Sequence, residues 1–310
     1  MTQAMTLHSS FPQRILLSRQ LLNPFLILPP EILSLILENI NLDIVNTVQT
    51  LLLVDVQMKL CLNLAIPYVS RMSAHKPLML NLFTGVKHLE IINRISIQTV
   101  NIYNFEKIMF RNLKYLSIPR YVSFYLSKLD NTRMSRFFMP ILDVLRIYSE
   151  YMDKDPPSYI CSKSVPKLRT LILDRFMASN LGEFKTLEIL KLRYVNINPS
   201  MLNDLNIVEL SLDNVGFHTS DTLNIPSLRI LKLIEIEYGD YVLNFPYLRS
   251  LEIIEGYFDG TQDEKLLNNP NLEELTLKNI TLDGVVLNNP NLKILKLINA
   301  KHLYAKNFRV

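Results

Sequence analysis

Apolar residues in the C-terminal half of the chain recur in one frame, Leu-x-x-Leu-x-Leu. It can be read at Leu168, Leu171 and Leu173, at Leu187, Leu190 and Leu192, and at Ile207, Leu210 and Leu212. It continues at Leu228, Leu231 and Leu233, at Leu248, Leu251 and Ile253, at Leu272, Leu275 and Leu277, and at Leu292, Leu295 and Leu297. Successive starts lie 19 to 24 residues apart, and a Pro stands two residues before the first apolar position at Pro166, Pro226, Pro246, Pro270 and Pro290. A fixed period of this size predicts a solenoid, in which each repeat stacks on its neighbours and buries a continuous core. The same frame at Val86, Leu113 and Leu142 has longer spacings of 27, 29 and 26 residues. Those spacings leave room for a helix between strands, whereas the later ones predict short or irregular returns.

Alternation assigns the faces. The fourth and sixth positions of each frame point to the core, and the third, fifth and seventh point away from it. The outward positions hold Ile189, Ile230, Ile234, Ile254, Ile294 and Ile298, set among Lys191, Arg193, Lys232, Glu252, Lys278 and Lys296. Isoleucines grouped with charges suit a partner surface, and Ile189, Ile230, Lys232, Ile234, Glu252, Ile254, Ile294, Lys296 and Ile298 are the candidate contacts for a target protein. A plainer reading stands beside this one: β-branched residues suit any strand.

The N-terminal third reads differently. Residues 1–24 form a polar, then weakly apolar lead. From Leu28-Pro29-Pro30-Glu31, apolar residues at Ile32, Leu33, Ile36, Leu37 and Ile40 repeat at helical spacing, with Pro and Glu suited to a helix start. Asp43 is placed to cap a second helix, and a third ends at Pro67. Residues 71–77 read as a linker.

Two resemblances follow from these residues. The Pro-x-Leu-x-x-Leu-x-Leu frame is similar to that of leucine-rich repeats. That likeness implies an α/β solenoid, a right-handed horseshoe with a parallel sheet on its concave face, formed by about ten irregular repeats over residues 78–310. The ninth position of the repeat, commonly Asn or Cys in that family, is Phe176, Val195, Val215, Ile236, Gly256, Ile280 and Ala300 here. No buried asparagine ladder is expected at that position, and apolar packing is expected to hold the turn instead.

Residues 25–72 resemble an F-box. The match covers the opening Leu-Pro-x-Glu-Ile-Leu-x-x-Ile-Leu at residues 28–37, the later Leu53-Val54, and the ending Leu64-Ala65-Ile66-Pro67, which looks like fungal members of that family. The resemblance implies a three-helix bundle that docks on the Skp-type adaptor of an SCF ubiquitin ligase, and through it on a cullin. The repeats would then hold a target protein. Carried over by position, the adaptor contacts are Leu28, Pro29, Ile32, Leu33, Ile36 and Leu37. The same stripe could instead pack the bundle onto the first repeat. The family commonly has Trp in the third helix, where this chain, which has no Trp, carries Met58. That departure leaves open a repeat scaffold whose F-box-like head recruits no ligase.

Composition narrows the chemistry. With 7 Gly among 310 residues, a glycine-lined phosphate or dinucleotide loop is not expected. Cys61 and Cys161 read as buried thiols in a reducing compartment, not as a disulfide framework. Arg14, Arg19 and Gln20 interrupt any signal-like run, and polar residues interrupt the apolar stretch 48–69, so no secretion or membrane span is expected and the cytosol or nucleus is. A net charge of +4, spread along the chain, does not point to nucleic acid. His8, His75, His88, His218 and His302 are not spaced as metal ligands, and no nucleophile–base arrangement appears. Residues 259–264 are acidic but match no calcium loop. No cofactor and no catalysis are expected.

Overall fold

A computed structural model describes residues 71–74, 86–91, 112–119, 139–149, 160, 162–176, 178–203, 205–217, 222–236, 243–259, 267, 269–283, 286–301 and 304–305. The helices expected over 25–67, with Leu28, Pro29, Ile32, Leu33, Ile36 and Leu37, lie outside these residues. So do both cysteines and every histidine but His88. The chain divides into two compact units, Met1–Leu113 and Lys114–Val310.

In the first unit, β1 (Arg71–Ala74) pairs parallel with β2 (His88–Ile91), with Arg71 opposite His88 and Ala74 opposite Ile91. This corrects the reading of 71–77 as a linker: its first four residues are a strand. The register sets Met72 against Leu89, so β1 follows the repeat frame with residues other than leucine at its apolar positions.

The second unit is a parallel-sheet solenoid, consistent with a leucine-rich-repeat fold. Its main strands are β3 (Tyr115–Pro119), β4 (Val144–Tyr148), β5 (Thr170–Asp174), β6 (Ile189–Arg193), β8 (Glu209–Asp213), β11 (Ile230–Ile234), β13 (Ser250–Asp259), β14 (Glu274–Asp283) and β16 (Ile294–Ile298), adjacent in that order. Each begins at the third position of its frame. The pairing sets like positions side by side: Leu171 against Leu190, Leu210 against Leu231, Leu251 against Leu275. The second-position carbonyl of one repeat accepts two N–H groups from the next; the Arg169 oxygen, for example, takes those of Glu188 and Ile189, both at 2.9 Å. A one-residue slip would turn every leucine to solvent, so burial fixes the register.

The repeat motif explains each strand's approach. In seven repeats the first apolar N–H donates to the carbonyl three residues back, as Leu168 does to Val165 and Leu248 to Phe245, both at 3.1 Å. Pro therefore occupies the second position of a β-turn, where its fixed φ is pre-set. Pro140 does the same before Leu142, a sixth case. From β3 to β14, the fourth- and sixth-position residues are no more than 3% exposed, and each such side chain contributes about 1.5–3 kcal/mol by burial. On β16, the last strand of the ladder, Leu297 is 44% exposed.

The eighth residue is left-handed in seven consecutive repeats: Arg175, Tyr194, Asn214, Glu235 and Asn299 just past their strands, and Glu255 and Asn279 within the longer β13 and β14, with φ between 48° and 59°. Only the three asparagines are residue types that tolerate this region well. The ninth position is apolar and mostly buried, with Phe176, Val195, Val215, Ile236 and Ile280 inside and Gly256 and Ala300 half-buried.

Asparagines are used on the other side of the strand. Asn269 is buried and donates its amide to the Phe245 carbonyl at 2.6 Å, while its oxygen accepts from the Asn271 N–H at 3.0 Å. Asn271 and Asn291 bond the carbonyls of Pro246 and Pro270, at 2.8 and 2.7 Å. Asn269→Ala would take from the Phe245 carbonyl its shorter bond, leaving it the Leu248 N–H, and would remove the acceptor of the Asn271 N–H. It is expected to cost about 1–3 kcal/mol, measured by denaturant unfolding.

The returns are short, as the spacing predicts. Among the described residues from β5 onward they comprise the two-residue strands β7 (Asn196–Ile197), β9 (Gly216–Phe217), β10 (Leu223–Asn224), β12 (Leu243–Asn244), β15 (Val286–Leu287) and β17 (Tyr304–Ala305), a helical turn at Ser200–Asn203 and a 3-10 turn at Leu181–Glu183; the longer return before β5 holds a 3-10 turn at Ser162–Ser164.

Candidate functional site

The face of the second-unit sheet that points away from the core carries three columns of side chains, from the third, fifth and seventh frame positions. In-register parallel pairing runs each column across the strands at the sheet spacing of about 4.8 Å. The candidate contacts all lie on this face, but in three groups. Ile230, Lys232 and Ile234 on β11 adjoin Glu252 and Ile254 on β13, with Ile234 directly opposite Ile254 and Lys232 opposite Glu252. Lys232 Nζ lies 2.9 Å from Glu252 Oε2. Ile230 is exposed, whereas Ile234 and Ile254 are half-buried. Ile189, half-buried on β6, is separated from this group by β8, whose Glu209 stands beside it. Ile294, Lys296 and Ile298, all exposed on β16, are separated from it by β14. The adjoining isoleucines are thus Ile234 and Ile254, while Ile230 lies about 13 Å back along β11, beyond the Lys232–Glu252 ion pair.

Next to it runs a charged cluster that the sequence reading did not assemble. Asp174, Arg193 and Asp213 share the seventh position of three neighbouring strands. Arg193 Nε donates to Asp213 Oδ2 at 2.7 Å, and its Nη1 lies 3.9 Å from Asp174 Oδ2. Arg146 reaches the same Asp174 oxygen from β4 at 3.3 Å. The hydrogen bond from Arg193 to Asp213 holds the Arg193 guanidinium above its ordinary pKa, against the opposing effect of burial. Arg146 lies over the Tyr148 ring at 5.5 Å and Arg175 over Tyr194 at 4.7 Å. Asp174 is almost wholly buried, and its Oδ1 has no hydrogen-bond partner. The signal in the sequence was alternating charge at one frame position of three successive repeats.

A second charged stripe follows the second frame position, on the flank of the sheet. Arg169 bonds Glu188 at 2.7 Å, and Lys293 bonds Glu273 at 2.7 Å. The Lys293 hydrogen bond, then the charges of Lys293 and Arg249, hold the Glu273 carboxyl below its usual range. A carboxylate depressed in the fold stabilises above its unfolded pKa, and that contribution is lost as pH falls through the folded value. Lys293→Met is therefore expected to flatten slightly the decline in melting temperature between about pH 6 and pH 3. Because both groups are exposed, the difference should vanish in about 1 M salt.

His88 Nε2 lies 3.4 Å from Glu90 Oε1. Among the described residues no group of three or more His, Cys, Asp or Glu could hold a metal ion, and no helix is long and apolar enough to cross a membrane. What this arrangement offers chemically is non-covalent recognition: an apolar group, a central ion pair, and an arginine-rich, tyrosine-bearing flank.

No family model matches the chain, and no curated protein matches it. Among solved structures, it is similar to an internalin from Listeria monocytogenes at 14% identity, with a TM-score of 0.37, over 80% of this chain and 85% of that one. At that degree of superposition the likeness assigns no function.

Proposed function

We propose that the chain is a protein-interaction scaffold whose repeat sheet holds a partner on its outward face. The observation that carries this reading is the pairing of Ile234 with Ile254, on a strand face that also bears exposed Ile230 and whose opposite side is filled by the core. Apolar side chains with aromatic and arginine neighbours make the composition in which binding energy concentrates. The chain acts by holding its partner, without catalysis.

The finer reading is a substrate receptor of an SCF-type ubiquitin ligase in the cytosol or nucleus. Its support lies in the residues at 28–37, which resemble the F-box opening. On this reading the stripe Leu28, Pro29, Ile32, Leu33, Ile36 and Leu37 docks on a Skp-type adaptor, and the repeats present the target. Tethering both to one chain raises the effective concentration of target at the ligase, which suffices for modification by proximity. The test is binding of the purified full chain to purified adaptor, beside a Leu33→Asp, Ile36→Asp double variant. Binding by the wild type and its loss in a folded variant supports the ligase reading. No binding by the folded wild type leaves a scaffold whose head recruits no ligase, the outcome that Met58 in place of the usual Trp would explain.

A further inference from the structure

The flank of the sheet contains a hollow of about 220 Å³ lined by Arg229, Tyr247, Arg249, Asn271, Glu273, Asn291 and Lys293. Three cations here face a single carboxylate, and Glu273 is already engaged by Lys293 at 2.7 Å with Arg249 farther off at 3.9 Å. Two positive charges therefore remain uncompensated. The Asn271 and Asn291 amides each spend one of two N–H donors on the carbonyls of Pro246 and Pro270, and Lys293 spends one of three on Glu273, so most of the donors still open to a ligand belong to the arginines.

Arg229 is fixed before any ligand arrives. Its Nη1 donates to the carbonyls of Pro226 and Leu228, both at 3.0 Å, and its guanidinium lies over the Tyr247 ring at 5.1 Å. No carboxylate pairs with it among the described residues. A guanidinium carries five N–H donors in a fixed fork, so the Nε and Nη2 hydrogens remain beyond those two bonds. Arg249 is its neighbour in the next repeat, where the Arg249 N–H bonds the Arg229 carbonyl at 2.8 Å. A guanidinium ordered in advance, beside a second one and an exposed tyrosine, loses little freedom on binding an oxyanion and suits two-point contact with it.

We propose that this hollow binds a phosphate-type oxyanion, presented on a side chain of the partner protein held by the sheet. Two uncompensated charges match a phosphomonoester, which carries about −1.5 to −2 at neutral pH, better than a carboxylate. The presentation on a protein rests on the scaffold reading above; the anion site itself does not.

The test uses the full chain at low ionic strength. Two probes, inorganic phosphate and a blocked phosphoserine peptide, are followed by phosphorus NMR line broadening, with acetate as competitor. Both probes are expected to saturate and acetate to compete poorly. Arg229→Gln with Arg249→Gln should weaken both by about tenfold or more. Arg169→Gln, an exposed arginine on the same stripe already paired with Glu188, should change neither. Should the double variant lose its fold, the exposed Arg249→Gln alone serves in its place and should still weaken binding. Absence of saturation, indifference to the arginine changes, or acetate competing as an equal would overturn the site. Phosphate binding without phosphopeptide binding would overturn its presentation on a protein. Neither result bears on the sheet face, because these titrations need no protein partner.

Discussion

Replacing Leu231 with aspartate is expected to unfold the repeats around β11, whereas Lys232→Asp, one residue on, should leave them folded. Leu231 sits at the fourth frame position, 1% exposed, between Leu210 and Leu251 on the neighbouring strands. Truncating such a leucine to alanine alone costs about 2–5 kcal/mol. A carboxylate there adds the cost of burying an unpaired charge, several kcal/mol more unless it takes up a proton. Together these come to roughly 5–10 kcal/mol, comparable to the 5–15 kcal/mol that holds a typical domain. Lys232 points outward, so its replacement loses only the surface pair with Glu252 and sets two carboxylates side by side, an effect of at most about 1 kcal/mol. Circular dichroism and denaturant melts of the two variants distinguish the outcomes. Equal effects from both would mean that the alternation is misassigned.

The second large effect concerns the turn after β5. Phe176 is 2% exposed and occupies the ninth frame position, where the related motif commonly carries asparagine. Phe176→Ala is expected to cost about 3–5 kcal/mol through lost burial and the cavity left behind. Phe176→Asn, which restores the common residue, should not rescue it. In the next repeat the ninth position is Val195, buried, which offers an asparagine no side-chain partner on that side. An inserted amide would be smaller than the ring it replaces and would need hydrogen bonds from a turn already built around apolar contact. A Phe176→Asn variant as stable as the wild type in a denaturant melt would show that the turn does not depend on apolar packing.

What could be read from the residues, and what could not, follows from the range over which each feature is determined. The strand positions are local: a leucine at the fourth and sixth places is buried because alternation leaves it no other face, so Leu190, Leu210 and Leu275 identified themselves. The strand at Arg71–Ala74 was missed because Met72 and Ala74 carry the apolar positions without leucine. The left-handed eighth residue was hidden wherever it is Arg175, Tyr194, Glu235 or Glu255, types that give no such signal. The cluster of Arg146, Asp174 and Arg193 joins residues up to 47 positions apart in the sequence and exists only once the strands are in register. Register also divided the outward isoleucines. They had been gathered as one set, but Glu209 and the β14 residues Glu274, Thr276 and Lys278 stand between the groups. The hollow at Arg229 had no counterpart in the motif, since second-position residues appear in the frame only as an unspecified place.

The measurement that bears most directly on the scaffold reading is a positional crosslinking scan. A photoreactive phenylalanine analogue would be placed at Ile230, Ile234 and Ile254 on the sheet face, and at exposed Glu183 and Lys185 in a return segment, each in the full chain in its native cells. The account predicts that the three sheet positions trap the same partner protein and that the return positions trap none of it. Trapping of that partner from Glu183 and Lys185, with none from Ile230, Ile234 and Ile254, would contradict it.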